Sequence, residues 1–271
     1  MAGPRAGTAV VTGGGNGLGA AIARRLAERG LAVVVADVDE AAATRTAARI
    51  GGRAVRLDVA DAAACRALVA ELDDLVAWVN NAGILHTGPA WATGDEQRRR
   101  LVDVNVHGVM NGTLAALPQL RARGAGHVVN VVSLAGLHPA PGETVYGATK
   151  HAALGFSVAT HLDLLARGER GVHVSALCPD GIWTPMLFER TADPDAWPSW
   201  SGVMLDPDRV AAAAVDLLDR PRPLRAVPRW RGAMLRAAAT TPRLVGRVLP
   251  TMIRVARSRQ RTWGRRHGGR S

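Results

Sequence analysis

Lysine, tyrosine and cysteine are nearly missing from this 271-residue chain. Of its 34 basic side chains only Lys150 is lysine, Tyr146 is its single tyrosine, and its two cysteines are Cys65 and Cys178. Two thiols so far apart, outside any C-x-x-C spacing, exclude a disulfide scaffold and a thiolate metal site. None of the eight histidines has metal-ligand spacing either, so no metal is expected. No apolar run reaches 18 residues, which excludes a membrane-spanning helix. Residues 1–7 lead straight into a strand pattern without a signal-peptide layout, and the cytoplasm is the expected location. Acidic residues are missing from 222–271, which hold 14 arginines, whereas residues 1–221 hold 20 basic and 23 acidic side chains. The net charge of +11 therefore belongs to a C-terminal tail, and the body is mildly acidic.

Against this scarcity, Tyr146 and Lys150 stand four positions apart, on one face of any helix that carries them. A phenol beside a cation is a way to make an acid/base that works near neutral pH. Bringing a tyrosine from about 10 to ~7 needs about 4 kcal/mol. A charge about 4 Å away, at an effective dielectric of about 20, supplies that much. The bulky planar fork of arginine is a poor substitute for a compact ammonium that also binds a sugar hydroxyl.

Apolar runs at 8–11, 31–35, 54–57, 75–79, 126–132 and 172–177 read as strands, with a short closing strand at 224–230. Helical patterns fill 20–28, 41–49, 62–71, 95–117 and 146–165, and another helix begins near Pro207. Strands apolar on both faces, alternating with helices, imply a parallel sheet covered on both sides. The expected fold is α/β: a single doubly wound, Rossmann-type sheet over residues 1–230, with helices on both faces and ligands at the carboxyl ends of its strands. A basic helical extension, 231–271, follows. The first strand runs into Gly13-Gly-Gly-Asn-Gly-Leu-Gly19 and then a helix, where glycines let a pyrophosphate approach the helix N-terminus. Asp37 ends the second strand, where a carboxylate can accept both ribose hydroxyls and repel a 2′-phosphate. Neither Asn16 nor Val38 offers a cation for that phosphate, so NAD is favoured over NADP.

Thr12–Gly19, Asn80-Asn-Ala-Gly83, Ser133 and Tyr146-x-x-x-Lys150 together resemble the short-chain dehydrogenase/reductase family, from about Thr8 to Met186. The resemblance implies that Tyr146 is the general acid/base, Ser133 holds the substrate oxygen, and Lys150 binds the nicotinamide ribose and depresses the Tyr146 pKa. Asn105 would hold a water that links Lys150 to solvent. It places Gly13, Asn16, Gly17, Leu18, Gly19 and Asp37 on the cofactor, with Asp58 and Val59 at the adenine and Asn81, Ala82 and Gly83 near the riboses. Pro179, Ile182 and Thr184 would pack the nicotinamide, although Asp180 interrupts the family's Pro-Gly at this point. His138 falls in a loop expected to border the substrate, and Cys178 reads as packing.

Residues 183–205 match the family's substrate lid and carry Trp183, Met186, Leu187, Phe188, Trp197, Trp200 and Met204. Such a lid suits a lipophilic small molecule, or else these residues form a local core or a subunit contact. In the tail, helices are expected at 232–240, from Pro242, and from Pro250 to about 262. In the last, Arg254, Arg257 and Arg261 share one face while Met252, Ile253 and Ala256 lie on another. That pattern fits peripheral contact with an anionic membrane or a helix packed on the body. An acidic body and a tail without interleaved aromatics speak against nucleic acid. The expected activity is NAD(P)-linked interconversion of a secondary alcohol and a ketone by a homodimer or homotetramer. The alternative is an NAD-binding sensor or scaffold without turnover, against which the intact Asn105, Ser133, Tyr146 and Lys150 set argues.

Overall fold

A computed structural model describes residues 7–267. The opening residues 1–6 and Arg270 of the tail lie outside the described residues. The elements run β1 (Thr8–Thr12), α1 (Gly17–Glu28), β2 (Ala32–Asp37), α2 (Glu40–Ile50), β3 (Arg53–Arg56), α3 (Ala62–Ala70) and β4 (Leu75–Asn80). Then come α4 (Asp95–Val102), α5 (Gly108–Arg123), β5 (Gly126–Val131), α6 (Thr144–Ala166) and β6 (Val172–Pro179). Short helices α7 (Pro185–Phe188) and α8 (Trp197–Trp200) precede α9 (Pro207–Asp219), β7 (Leu224–Val227), α10 (Arg229–Ala239) and α11 (Pro242–His267).

Seven strands form one parallel sheet in the order β3-β2-β1-β4-β5-β6-β7. Successive residues of β1 point to opposite sides, as the strand period of two requires. Ala9 and Val11 pack with Ile22 and Leu26 of α1 and with Val210 and Leu217 of α9. Val10 packs with Leu68 of α3, Leu120 of α5 and Leu164 of α6. The chain order reverses between β1 and β4, so their carboxyl ends part around a crevice, and the site lies there.

Three expectations need correction. The helix expected over 95–117 is two helices joined by a wide π-helical turn at Asp103–His107 and continued to Arg123. The π turn holds Asn105, and both polar atoms of that side chain are tied to Ile84, a tertiary contact that no helical periodicity reports. Second, β7 ends at Val227 and α10 begins at Arg229, three residues before Gly232. Third, Pro250 opens no new helix: α11 runs through it. A proline ring presses on the carbonyl four residues back, which here belongs to the glycine Gly246.

The aromatic residues of 183–205 mostly build a small core with α11. Leu187, Trp197, Trp200 and Ala256 are buried together, with Trp183, Met252, Ile253 and Trp263 packed around them. Trp263 of α11 stacks on Phe188 at 5.2 Å between ring centroids. Gln260 Nε2 donates to the carbonyls of Arg190, Thr191 and Asp193 at 3.2, 3.0 and 2.6 Å.

Candidate active site

The glycine loop between β1 and α1 is shaped by close approach. Gly13 has φ +60°, and a Cβ there would lie 2.8 Å from the Ala82 Cα. At Gly19 a Cβ would lie 2.0 Å from the Gly13 carbonyl oxygen. Asn81 Nδ2 donates to the carbonyls of Thr12 and Gly13, both at 3.0 Å, and Thr12 Oγ1 accepts from the Asn81 and Ala82 amides at 3.1 and 3.2 Å. The loops after β1 and β4 are thus one unit. Asn16 caps α1 without a side-chain bond and the first turn holds no acid, so the positive end of the helix faces the crevice uncompensated. Such a cradle of close-packed glycines before free helix amides fits a dinucleotide pyrophosphate.

Asp37 closes β2 beside this loop. Its Oδ2 accepts from the Gly15 amide at 2.9 Å and its Oδ1 from the Asp39 amide at 3.0 Å, which hold the carboxylate at the crevice rim. Asp58 Oδ1 accepts from the Ala60 amide at 2.9 Å, and Asn111 Nδ2 of α5 holds the Val59 carbonyl at 2.9 Å.

Ser133 follows β5 and caps a short turn, its Oγ accepting from the Ala135 amide at 3.1 Å. Tyr146 and Lys150 lie one turn apart on α6. Lys150 is only 4% exposed, donates from Nζ to the Val131 carbonyl at 3.3 Å, and sits 5.6 Å above the centre of the Tyr146 ring. Burial lowers its pKa to about 8. Burial also pushes the Tyr146 phenol well above its ordinary value, with the Glu143 charge adding to the rise and the Ser133 hydroxyl opposing it. Desolvation is the largest of these influences on the phenol. Asn105 is fully buried behind these groups. Its Oδ1 accepts from the Ile84 amide at 2.9 Å, and its Nδ2 donates to the Ile84 carbonyl at 2.9 Å and to Thr149 Oγ1 at 3.1 Å. These bonds fix the Asn105 side chain between Ile84 and α6.

One cavity of about 800 Å³ joins these parts. Every residue expected at the cofactor lines it, from Gly13 and Asp37 to Pro179, Ile182 and Thr184, together with Ser133, Tyr146, Lys150 and His138. Asn105 stands behind the wall, 3.3 Å from where a Cβ on Gly83 would lie. Of the aromatic and sulfur side chains in 183–205, Met186 and Trp197 reach the cavity.

Several lining residues escaped the sequence reading. Leu235 of α10 and Val245, Leu249 and Met252 of α11 form an apolar wall. Arg231 of α10 pairs with Asp180, the residue that interrupts the Pro-Gly pattern, so the interruption was itself the signal. Glu143 lies three residues before Tyr146, where an acid reads as an ordinary helix-start residue, yet it is 4% exposed and burial raises its pKa to about 7. Both cysteines are buried, with Cys178 pushed up to about 12, as expected for packing residues.

The sequence profile of the family described as short chain dehydrogenase matches residues 7–195. A 2,5-dichloro-2,5-cyclohexadiene-1,4-diol dehydrogenase of Sphingobium indicum is 40% identical over 187 residues, 66% of this chain and 74% of its own. A short-chain dehydrogenase/reductase from Burkholderia phymatum, solved in complex with NAD, has a TM-score of 0.79 at 29% identity, over 87% of this chain and 94% of its own. A 3-ketoacyl-(acyl-carrier-protein) reductase from Brucella melitensis, solved with NADH, has a TM-score of 0.71 at 31% identity, over 81% of this chain and 95% of its own.

Proposed function

Since the chain belongs to the short-chain dehydrogenase family, we propose that it is an NAD-dependent oxidoreductase that interconverts a secondary alcohol and a ketone on a lipophilic substrate. The observation that carries this reading is the single cavity shared by the glycine cradle, Asp37, Ser133, Tyr146 and Lys150. Gly13–Gly19 and the α1 amides hold the pyrophosphate, Asp37 holds the adenosine ribose, and Ile182 and Thr184 border the nicotinamide. The two relatives of known structure, solved with NAD and NADH, support that cofactor, and the Asp37 carboxylate disfavours the 2′-phosphate of NADP.

When bound, NAD supplies the acceptor for a hydride from the carbinol carbon. Ser133 fixes the substrate oxygen and Tyr146 takes the hydroxyl proton as the carbonyl forms, or returns it when a ketone is reduced. Lys150, held by the Val131 carbonyl, presents its ammonium along the Tyr146 ring. Burial raises the Tyr146 phenol and so favours its protonated, proton-donating form. The apolar wall of Leu235, Val245, Leu249 and Met252 supports a lipophilic substrate.

The outer side of α11 supports peripheral contact with an anionic membrane. Leu244, Val248 and Val255 are exposed at spacings of four and seven, along one line of the helix, and Arg243, Arg247 and Arg254 lie beside them. No helix among the described residues is long and apolar enough to cross a membrane. The deciding experiment follows NADH formation from a panel of lipophilic secondary alcohols, with Tyr146→Phe as control. Turnover that survives in the variant overturns the assignment.

A further inference from the structure

Glu143 is a carboxylate on the cavity wall, buried at 4% exposure, with no ion pair among the described residues. Its hydrogen-bond partners come from Ser199 of α8: the hydroxyl Oγ donates to Oε1 at 2.5 Å, and the Ser199 backbone amide also donates to the carboxylate. Arg190 is the cation whose charge reaches it. The Arg190 guanidinium, however, donates to the carbonyls of Met186 and Leu85, both at 2.7 Å.

The backbone around Glu143 is fixed on both sides. The Gly88 amide donates to the Gly142 carbonyl at 2.6 Å and the Gly147 amide to the Glu143 carbonyl at 2.7 Å. The side chain is thus held on the wall one turn before Tyr146, close enough for its charge to act on the phenol. Enclosing a carboxylate without a cation is costly, and a hydroxyl-to-hydroxyl link would bind α8 without that cost. A carboxylate has more acceptor sites than the two Ser199 donors fill, so in a chamber with apolar lining it can take a further donor that arrives with the ligand.

We propose that Glu143 accepts a hydrogen bond from a second hydroxyl of the substrate, so that the enzyme selects diols over mono-alcohols. This rests on the alcohol–ketone reading above and narrows its substrate class. The alcohol carbon loses its hydride to NAD and its hydroxyl proton to Tyr146, while the second hydroxyl stays intact and only orients the substrate. The product is a hydroxyketone, and no further oxidant is needed. The apolar side chains of Leu249 and Met252 and the Glu143 carboxylate line the same chamber, which suits a substrate with an apolar frame and a second hydroxyl.

The test compares cyclohexanol with the cis and trans isomers of 1,2- and 1,4-cyclohexanediol, following NADH formation by the full chain. Wild type is expected to prefer at least one diol by roughly 10-fold or more in kcat/KM, the range of a hydrogen bond to a charged group. That ratio is expected to fall several-fold in Glu143→Gln, which keeps shape but not charge, and to approach one in Glu143→Met. NADH titration reports whether each variant is folded, and the isosteric Gln variant decides the matter if the Met variant is not. A wild-type ratio near one, or a ratio unchanged in Glu143→Gln, overturns the role of Glu143 and leaves the oxidoreductase reading standing. Wild type that forms no NADH from any alcohol overturns both.

Discussion

The Asp180 carboxylate lies 2.6 Å from the Arg231 guanidinium, joining the end of β6 to the first turn of α10. The same carboxylate accepts from the Gly181 and Val203 amides at 3.0 and 2.9 Å, so three segments around the cavity meet at one buried group. A Cβ on Gly202 would lie 2.1 Å from it, which shows how closely the chain wraps the pair.

Removing one partner leaves the other charge buried alone. Arg231→Met should therefore destabilise the protein by about 3–5 kcal/mol, read from chemical denaturation. Adding Asp180→Asn to that variant should restore part of the loss. A single variant as stable as wild type would show that the pair contributes nothing.

Catalysis should depend on Tyr146 as the site's only phenol. Tyr146→Phe should keep NADH affinity by fluorescence titration and lower kcat by at least about 10²–10⁴-fold. Lys150→Arg should fail as well, because the fork does not fit where Nζ reaches the Val131 carbonyl.

The rates of the two directions should diverge with pH. Oxidation needs the Tyr146 phenolate, and burial raises that phenol, so its kcat/KM should climb steadily toward alkaline pH. Reduction needs the protonated phenol and should be flat through neutrality. An oxidation profile that levels off below neutral pH would mean that Tyr146 is ionised already.

Asp37 should set cofactor choice. The Kd for NADH should be lower than that for NADPH, and Asp37→Ser should narrow the gap by removing the charge that opposes the phosphate. Tighter NADPH binding by wild type would place an arginine on the phosphate instead.

Stability should carry the signature of Glu143. Its folded pKa of about 7 lies above the ordinary 4.5, so the folded protein holds a proton that the unfolded chain has released. The contribution is complete below about 4.5 and is lost as pH rises through 7, a change of ~3 kcal/mol. Denaturation midpoints of wild type should fall relative to Glu143→Gln between pH 5 and 7. Parallel curves would show that the carboxylate is not desolvated.

The sheet was legible because its signals are local: β-branched runs such as Val33–Val35, and glycines between a strand and a helix. The residues expected at the cofactor line one cavity for the same reason, since loops after successive strands converge at one sheet edge. What escaped depends on partners far away in sequence. Sequence left Trp183 and Trp200 open between substrate lining and a local core, and it is Trp263, far along the chain, that stands against them. Pro250 reads as a helix start because local rules do not show α11 held on both sides of it by Leu249 and Met252. The pairing of Tyr146 and Lys150 was visible as spacing, but the Val131 carbonyl that takes the ammonium was not.

Burial of the one lysine has a chemical corollary. Every other cationic side chain except histidine is a guanidinium, so amine-directed acylation finds no lysine on the folded surface. The guanidinium charge of α11 is beyond the reach of lysine acetylation. A reagent that modifies Lys150 must instead enter the cavity. Lys150 lines the cavity, so a bound ligand that fills the chamber should slow that labelling.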